Sequence, residues 1–300
     1  MGSTTSLPAG SSAGADGTAT AGAARARLLQ DLPLTGRRLY PAGAATTVCE
    51  GGRGAPLVLL HGGIECGGGV WAPIVAALAA RHRVIIPDLP GLGASPPADV
   101  LGPAAFARWL TDLLQLTCDE APVLVAHSLG GSLAARFAAE HGSLLRRLVV
   151  YAAPGIGPYR MPAALAITAV RYAVRPTARN AERFDRLALH DLDAARDRDP
   201  AWFAAFDAEN LRLGRTAAVK RSTRRLVAAG TDRVPDADLR RIPVPVDLLW
   251  GRHDRFVGLG VAEAASARLG LPLHVIDAAG HAAHLDRPDA VAAALGHIAA

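Results

Sequence analysis

The chain has 300 residues, half of them hydrophobic, and its 32 basic and 27 acidic side chains leave a formal net charge of +5. These charges are interspersed, so they do not form the basic patch of a nucleic-acid-binding protein. No apolar run approaches the roughly 20 residues that a membrane-spanning helix needs. We therefore expect neither a nucleic-acid nor a membrane partner. The three cysteines have no CxxC pair and no metal-ligand spacing, which favours a cytoplasmic location and no metal site.

The N-terminal segment, residues 1–25, consists mainly of glycine, alanine, serine and threonine. Such a composition cannot bury enough apolar surface to offset the entropy cost of ordering, so we predict a disordered tail. The segment also lacks the basic start and continuous apolar stretch of a secretory signal. The rest of the chain divides into a core, residues 26–154 and 242–300, and an insertion, residues 155–241.

In the core, short apolar runs alternate with longer segments of helical periodicity. This alternation is typical of an α/β fold with a doubly wound, mostly parallel sheet and helices on both faces. Strands that are covered on both faces appear as continuous apolar runs. The predicted strands are residues 57–60, 84–86, 123–125, 148–151, 246–250 and 273–276.

The insertion has a different pattern, because the strand-like runs disappear and the charges increase. Amphipathic stretches at 163–172 and 217–228 predict several short helices, which we interpret as a cap over the core. Trp202, Phe203 and Phe206 form an aromatic cluster in this segment. The cluster has two interpretations, a lining for a substrate acyl group or ordinary packing of the core.

The strongest local motif is Ala126-His127-Ser128-Leu129-Gly130, between a predicted strand and a predicted helix. Small residues two positions before and after the serine permit a tight turn that lifts its hydroxyl above the sheet edge. The same turn places the Leu129 N–H at a helix N-terminus, where unpaired donors stabilise an anion. A serine that merely caps a helix is the alternative for this motif taken alone.

A serine hydroxyl is barely ionised at neutral pH and needs a base, itself oriented by an acid, to act as a nucleophile. Asp254 and His281 follow the last two predicted strands, in the chain order serine, acid, histidine. The carboxyl ends of parallel strands lie at one edge of the sheet, so both side chains can converge on Ser128. We predict Ser128 as nucleophile, His281 as base and Asp254 as acid.

Other histidines and aspartates compete for these roles. We expect His284 to support the loop from beneath, His253 to face solvent and His82 to lie at the opposite edge of the sheet. Asp277 is too close in sequence to His281 to orient it easily, and Asp286 is the second rival for the acid.

A tetrahedral intermediate needs a second oxyanion donor besides the Leu129 N–H. The glycine-rich turn after the first core strand is in the right place, and glycine allows the backbone to approach a substrate closely. Gly63 is the first candidate and Ile64 the alternative, and an ordinary glycine-rich turn is a third interpretation. We expect His61 to hold this loop by hydrogen bonds without transferring a proton.

Five motifs together resemble the α/β-hydrolase superfamily over residues 38–300. They are His61-Gly62-Gly63 and the segments 88–95 (DLPGLGAS), 126–131 (AHSLGG), 251–254 (GRHD) and 280–288 (GHAAHLDRP). The resemblance implies a nucleophile at Ser128, an acid at Asp254, a base at His281, a helical cap, no cofactor and a small-molecule substrate. Two departures from the family pattern are Ala126, where glycine is usual, and Asp286, where glutamate is frequent.

The serine in this motif also bears on the reaction. Epoxide hydrolases and haloalkane dehalogenases of this superfamily attack with an aspartate at that position, so Ser128 favours acyl chemistry. We expect hydrolysis of a carboxylic ester, lactone or thioester through an acyl-enzyme. The alternatives are hydrolysis of a carbon–carbon bond in a diketone-like metabolite and a ligand-binding member without catalysis. No motif identifies the substrate-binding residues.

Overall fold

The computed structural model describes residues 23–300. Its first helix, α1, covers residues 23–28, so helical structure already begins inside the segment that we predicted as a tail. The remainder of that predicted tail, residues 1–22, lies outside the described residues.

An eight-stranded sheet forms the centre of the fold, in the order β1-β2-β4-β3-β5-β6-β7-β8. Strands β3 to β8 pair in parallel, whereas β1 and β2 run antiparallel to their neighbours. The prediction of a mostly parallel sheet is therefore confirmed. The strands are β1 Thr35–Leu39, β2 Thr46–Gly51, β3 Pro56–Leu60, β4 Arg83–Pro87, β5 Val123–His127, β6 Arg147–Tyr151, β7 Val246–Gly251 and β8 Leu273–Ile276.

Helices cover the sheet, and six of them, α5 to α10, come from the insertion between β6 and β7. Among residues 23–300, no helix combines the length and the apolar character needed to cross a membrane. The helices after α1 are α2 Ala72–Ala79, α3 Pro103–Thr117, α4 Ser128–His141, α5 Ala163–Val174, α6 Ala178–Ala188, α7 Leu192–Arg198, α8 Pro200–Gly214, α9 Ala217–Gly230, α10 Asp236–Arg240, α11 Leu259–Leu269, α12 Ala283–Asp286 and α13 Pro288–Ala299.

The core lies on both faces of the central strands. Every residue of β3 and β5 is buried, as expected of parallel strands with helices on each side. In the insertion, four successive helices begin at a residue whose side chain accepts a hydrogen bond from the backbone N–H three residues later. These N-cap residues are Thr177, Asp191, Asp199 and Thr216, and such caps fix where short helices start.

The aromatic cluster of the insertion is part of the hydrophobic core. Phe203 and Phe206 are buried, and the Trp202 ring stacks on Phe206 with 5.1 Å between ring centroids. The Trp202 indole N–H donates to the carbonyl oxygen of Leu28 in α1 at 3.2 Å. Core packing is therefore the correct one of the two interpretations of this cluster, and it attaches α8 to α1.

Candidate active site

Ser128 lies at the junction of β5 and α4 in a left-handed backbone conformation with φ of +55°. A side chain at Gly130 would put its Cβ 2.3 Å from the carbonyl oxygen of His61, and one at Gly131 would lie 2.7 Å from that of Ala126. Because these neighbours are backbone atoms, only glycine fits at both positions. Ala126 itself is completely buried, so the turn accommodates its methyl group.

The structure brings the three residues of the predicted triad into one hydrogen-bonded chain. The Oγ of Ser128 lies 2.8 Å from Nε2 of His281, and Nδ1 of His281 lies 2.9 Å from Oδ2 of Asp254. A carboxylate only accepts hydrogen bonds, so Nδ1 carries the imidazole proton and Nε2 is free to accept the serine proton. Asp254 and His281 are buried, whereas Ser128 is partly exposed and accessible to a substrate.

Backbone groups fix both partners of the serine. The second carboxylate oxygen of Asp254 accepts hydrogen bonds from the N–H groups of Phe256 and Val257, at 2.7 and 2.9 Å. The His127 side chain donates from Nε2 to the carbonyl oxygen of His281 at 3.0 Å. The His281 ring also lies between the rings of Phe256 and His127, with 4.7 Å between centroids on each side. The imidazole is therefore held in one orientation.

His284 supports the site from beneath, as the sequence predicted. Its Nδ1 accepts a hydrogen bond from the Tyr151 hydroxyl at 3.0 Å, and that hydroxyl accepts one from the His284 backbone N–H at 3.0 Å. Burial, together with the charge of His281, lowers the pKa of His284 to about 3. His284 is therefore neutral over the ordinary pH range. Tyr151 and Trp71, whose ring lies 4.6 Å from that of His284, were not predicted as part of this support.

The rivals for the triad roles have other partners. His253 is exposed and stacks on His190 with 4.3 Å between centroids. Asp277 is exposed and forms an ion pair with Arg252. Asp286 is buried, and its carboxylate accepts from the N–H groups of Gly280 and His190 at 2.8 and 2.9 Å. Asp286 thus holds the loop that carries His281, although it does not contact the imidazole ring through a hydrogen bond.

The glycine-rich turn after β3 lies directly against the serine. A Cβ at Gly62 would be 2.7 Å from the Cβ of Ser128. The N–H of Ile64 donates to the carbonyl oxygen of Gly62 at 3.0 Å, whereas the described residues supply no acceptor for the N–H of Gly63. Leu129 is the second residue of α4, so its N–H has no acceptor within the helix. Gly63 and Leu129 therefore present free donors, and Ile64 does not.

His61 connects two loops at the sheet edge. Its Nδ1 donates to the carbonyl oxygen of Gly62 at 2.8 Å, and its Nε2 accepts from the N–H of Leu89 at 2.9 Å. Burial lowers the pKa of His61, so the ring stays neutral and can play both parts. The prediction that His61 holds the glycine-rich turn by hydrogen bonds is confirmed.

Asp88 is a structural residue of the site that our sequence analysis missed. It is completely buried, and its carboxylate accepts from the N–H groups of Gly68 and Ala94 at 2.7 and 2.8 Å. Arg25 of α1 forms an ion pair with it at 2.7 Å. Asp88 is the first residue of the motif at 88–95. Its partner Arg25 lies in the segment that we predicted as a disordered tail, so no sequence pattern indicated the ion pair.

Two half-buried carboxyl groups have raised pKa values, Glu65 after the glycine-rich turn and Asp185 on α6 of the insertion. Burial raises the pKa of Glu65, two residues after Gly63, to about 7. On α6, burial and the neighbouring Asp207 raise the pKa of Asp185 to about 8, with a further contribution from the charge of Glu65. At pH 7 Glu65 is therefore about half protonated and Asp185 is mostly protonated, and the protonated forms can donate as well as accept hydrogen bonds.

The comparisons with known proteins identify the family. The model of the alpha/beta hydrolase family matches residues 57–294, and the chain therefore belongs to this family. The fold agrees, because the crystal structure of a Bacillus subtilis protein superimposes with a TM-score of 0.78 at 20% identity, covering 95% of this chain and 99% of that chain.

Two characterised relatives are similar over most of the chain. A pimeloyl-[acyl-carrier protein] methyl ester esterase from Aeromonas hydrophila is 32% identical over 69% of this chain and 80% of its own length. A 2-hydroxymuconate semialdehyde hydrolase from Pseudomonas putida is 28% identical over 84% of this chain and 89% of its own. Uncharacterized mycobacterial proteins are 40% identical, but the chain spans only 31% of their length.

Proposed function

We propose that the protein is a serine hydrolase that cleaves a carboxylic ester, lactone or thioester of a small molecule through an acyl-enzyme. The observation that carries this proposal is the continuous hydrogen-bonded chain from the Ser128 hydroxyl through His281 to Asp254. Such a chain activates a serine for attack on a carbonyl carbon. The Aeromonas esterase supports the choice of an ester.

In this mechanism the Oγ of Ser128 attacks the substrate carbonyl while Nε2 of His281 takes the serine proton. The carboxylate of Asp254 stabilises the resulting imidazolium through Nδ1. The N–H groups of Gly63 and Leu129 stabilise the oxyanion of the tetrahedral intermediate. His281 then protonates the leaving alcohol or thiol, and a water molecule activated by the same imidazole hydrolyses the acyl-enzyme.

A fluorophosphonate probe tests the nucleophile directly, because it forms a covalent adduct with an activated serine. We expect stoichiometric labelling of the wild-type protein and none of Ser128→Ala. Ser132, which is buried in the next turn of α4, provides the control, since Ser132→Ala should still be labelled. Labelling that survives in Ser128→Ala would refute the nucleophile assignment.

A second candidate function is hydrolysis of a carbon–carbon bond in a diketone-like metabolite, which the same three residues can perform. The similarity to the Pseudomonas hydrolase favours it. Turnover of short p-nitrophenyl esters distinguishes the two candidates. A protein that is labelled at Ser128 but hydrolyses none of these esters would count against the esterase proposal. A ligand-binding protein without catalysis is disfavoured, because binding alone does not need the triad geometry.

A further inference from the structure

Helix α5, the first helix of the insertion, exposes an apolar stripe on its outer side. Ile167, Val170 and Val174 are 52%, 60% and 69% exposed, and their spacing of three and four residues aligns them on one helix face. The opposite face is buried through Leu165 and Tyr172. We call these three exposed residues the α5 stripe. Its apolar surface is not used in the packing of the described residues.

Exposed arginines are frequent in the sequence around the α5 stripe. Residues 160–183 contain five arginines and one acidic residue, Glu182. The next acidic residue along α6, Asp185, is half-buried. Glu182 already forms an ion pair with Arg186. In the part of the chain that the structure describes, none of the five arginines has a carboxylate partner. They are all exposed, and they are Arg160, Arg171, Arg175, Arg179 and Arg183.

We propose that the α5 stripe binds the surface of a membrane that contains anionic lipid. An amphipathic helix at such a surface places its apolar residues at the boundary between headgroups and acyl chains, while flanking arginines contact lipid phosphates. With 12 residues α5 is too short to span the bilayer, so it lies along the surface. This proposal departs from our expectation of no membrane partner, which was based on the lack of an apolar run long enough to span a bilayer.

The charge pattern decides between a lipid surface and a second copy of the chain. Two copies that met through the α5 stripe in a symmetric dimer would bring the same patch of each copy together. Arg171, which lies on α5 itself, would then come close to its own copy, and like charges at close range oppose association. A membrane with anionic lipid offers negative headgroups to the arginines and acyl chains to the apolar α5 stripe.

Flotation of the full-length protein with unilamellar vesicles tests the proposal without measuring activity. We expect binding to vesicles of phosphatidylcholine mixed with phosphatidylglycerol, little binding to phosphatidylcholine alone, and release when salt rises from about 0.1 M to about 0.5 M. The variant Ile167→Ser/Val170→Ser/Val174→Ser should bind the mixed vesicles at least about tenfold more weakly, and so should Arg171→Ser/Arg175→Ser.

The matched control is Leu116→Ser, which removes an equally exposed apolar side chain, 51% exposed, from α3. This variant should bind the vesicles like the wild type, and thermal melting checks that every variant is folded. Absence of binding, or equal binding by the wild type and the triple variant, would overturn the proposal. A concentration-dependent dimer that the triple variant abolishes would assign the stripe to a second copy instead. Failure of the serine labelling experiment would leave this result unaffected.

Discussion

Ser128, the proposed nucleophile, differs from its neighbours in β5 and α4 by its backbone conformation. Ser128 holds a positive φ between β5 and α4, a conformation that costs free energy for a residue with a side chain. The surrounding glycines and the two fixed partners, His281 and Asp254, compensate for this cost by packing and hydrogen bonding. In the proposed reaction the hydroxyl is positioned before a substrate arrives, which would reduce the entropy cost of reaching the transition state.

Replacement of His281 by alanine tests the role of the base. Without the imidazole the serine proton has no acceptor, so we expect turnover to fall by about 10⁴-fold or more. Because the ring is buried and donates a hydrogen bond to the buried Asp254, the melting temperature should fall by several degrees, but the variant should remain folded. The measurement is ester turnover together with thermal melting, and wild-type turnover in this variant would refute the assignment.

At the scale of single residues, the sequence predicted three side chains that the structure joins by hydrogen bonds, but it did not predict the residues that support them. Ser128, Asp254 and His281 follow strands, and strand order in a parallel sheet determines which loops meet. The choice between Gly63 and Ile64 depended on one backbone hydrogen bond, from the Ile64 N–H to Gly62, which no sequence pattern reveals. The contact between Tyr151 and His284 joins residues 133 positions apart and has no local signal either.

Helix α4 and the turn after β3 come close together at Gly130. The substitution Gly130→Ala would place a methyl group 2.3 Å from the His61 carbonyl oxygen, and the turn that carries Gly63 must then move. We expect turnover to fall about 10²-fold, the effect of a shift of roughly 1 Å at reacting groups. Gly296→Ala, in α13 with open space around the position, is the control and should retain full turnover.

The ion pair between α1 and the loop after β4 joins two elements that are distant in the sequence. Removal of the carboxylate by Asp88→Ala leaves the Arg25 guanidinium and two backbone N–H groups without their acceptor. We expect the free energy of unfolding to fall by about 3–5 kcal/mol, measured by urea denaturation. Asp99→Ala breaks the exposed ion pair with Arg225 and should cost at most about 1 kcal/mol. Equal losses in the two variants would contradict this account.

At the level of elements, the buried parallel strands were predictable and the edge of the sheet was not. The interior strands are continuous apolar runs, so each was found within one or two residues of its observed bounds. Strands β1 and β2 contain arginine, threonine and glutamate, and β1 is mostly exposed. Their pairing is decided by backbone hydrogen bonds, which do not require an apolar pattern, and they were therefore missed.

Over the whole molecule, two sets of buried groups make stability depend on pH in opposite directions. Burial lowers the pKa values of His61, His127 and His284. At these three histidines the unfolded chain therefore binds more protons than the folded chain below pH 6.5. Their contribution to stability falls as the pH falls from there towards about 3. The raised pKa values of Glu65 and Asp185 mean that the folded chain holds extra protons, and stability falls as the pH rises from about 4 to about 8.

We therefore expect Asp185→Asn to raise the melting temperature by a few degrees at pH 8.5 and by less at pH 5, because the amide never ionises. Asp193→Asn, which removes an exposed carboxylate whose pKa is lowered by its hydrogen bonds to Arg186, should not stabilise the protein at either pH. Thermal melting between pH 4 and pH 9 provides the measurement. A gain for Asp185→Asn that is independent of pH would contradict the inferred titration.

The position of the insertion has a consequence for how such a protein diversifies. Strands β6 and β7 are neighbours in the sheet, and the six inserted helices replace what would otherwise be a short crossover between them. All strands of the sheet and the three residues of the proposed triad lie outside that crossover. The proposed reaction and the choice of substrate can thus change independently in evolution. A chimera that carries the corresponding insertion of a relative should show altered substrate preference while Ser128 is still labelled by a fluorophosphonate.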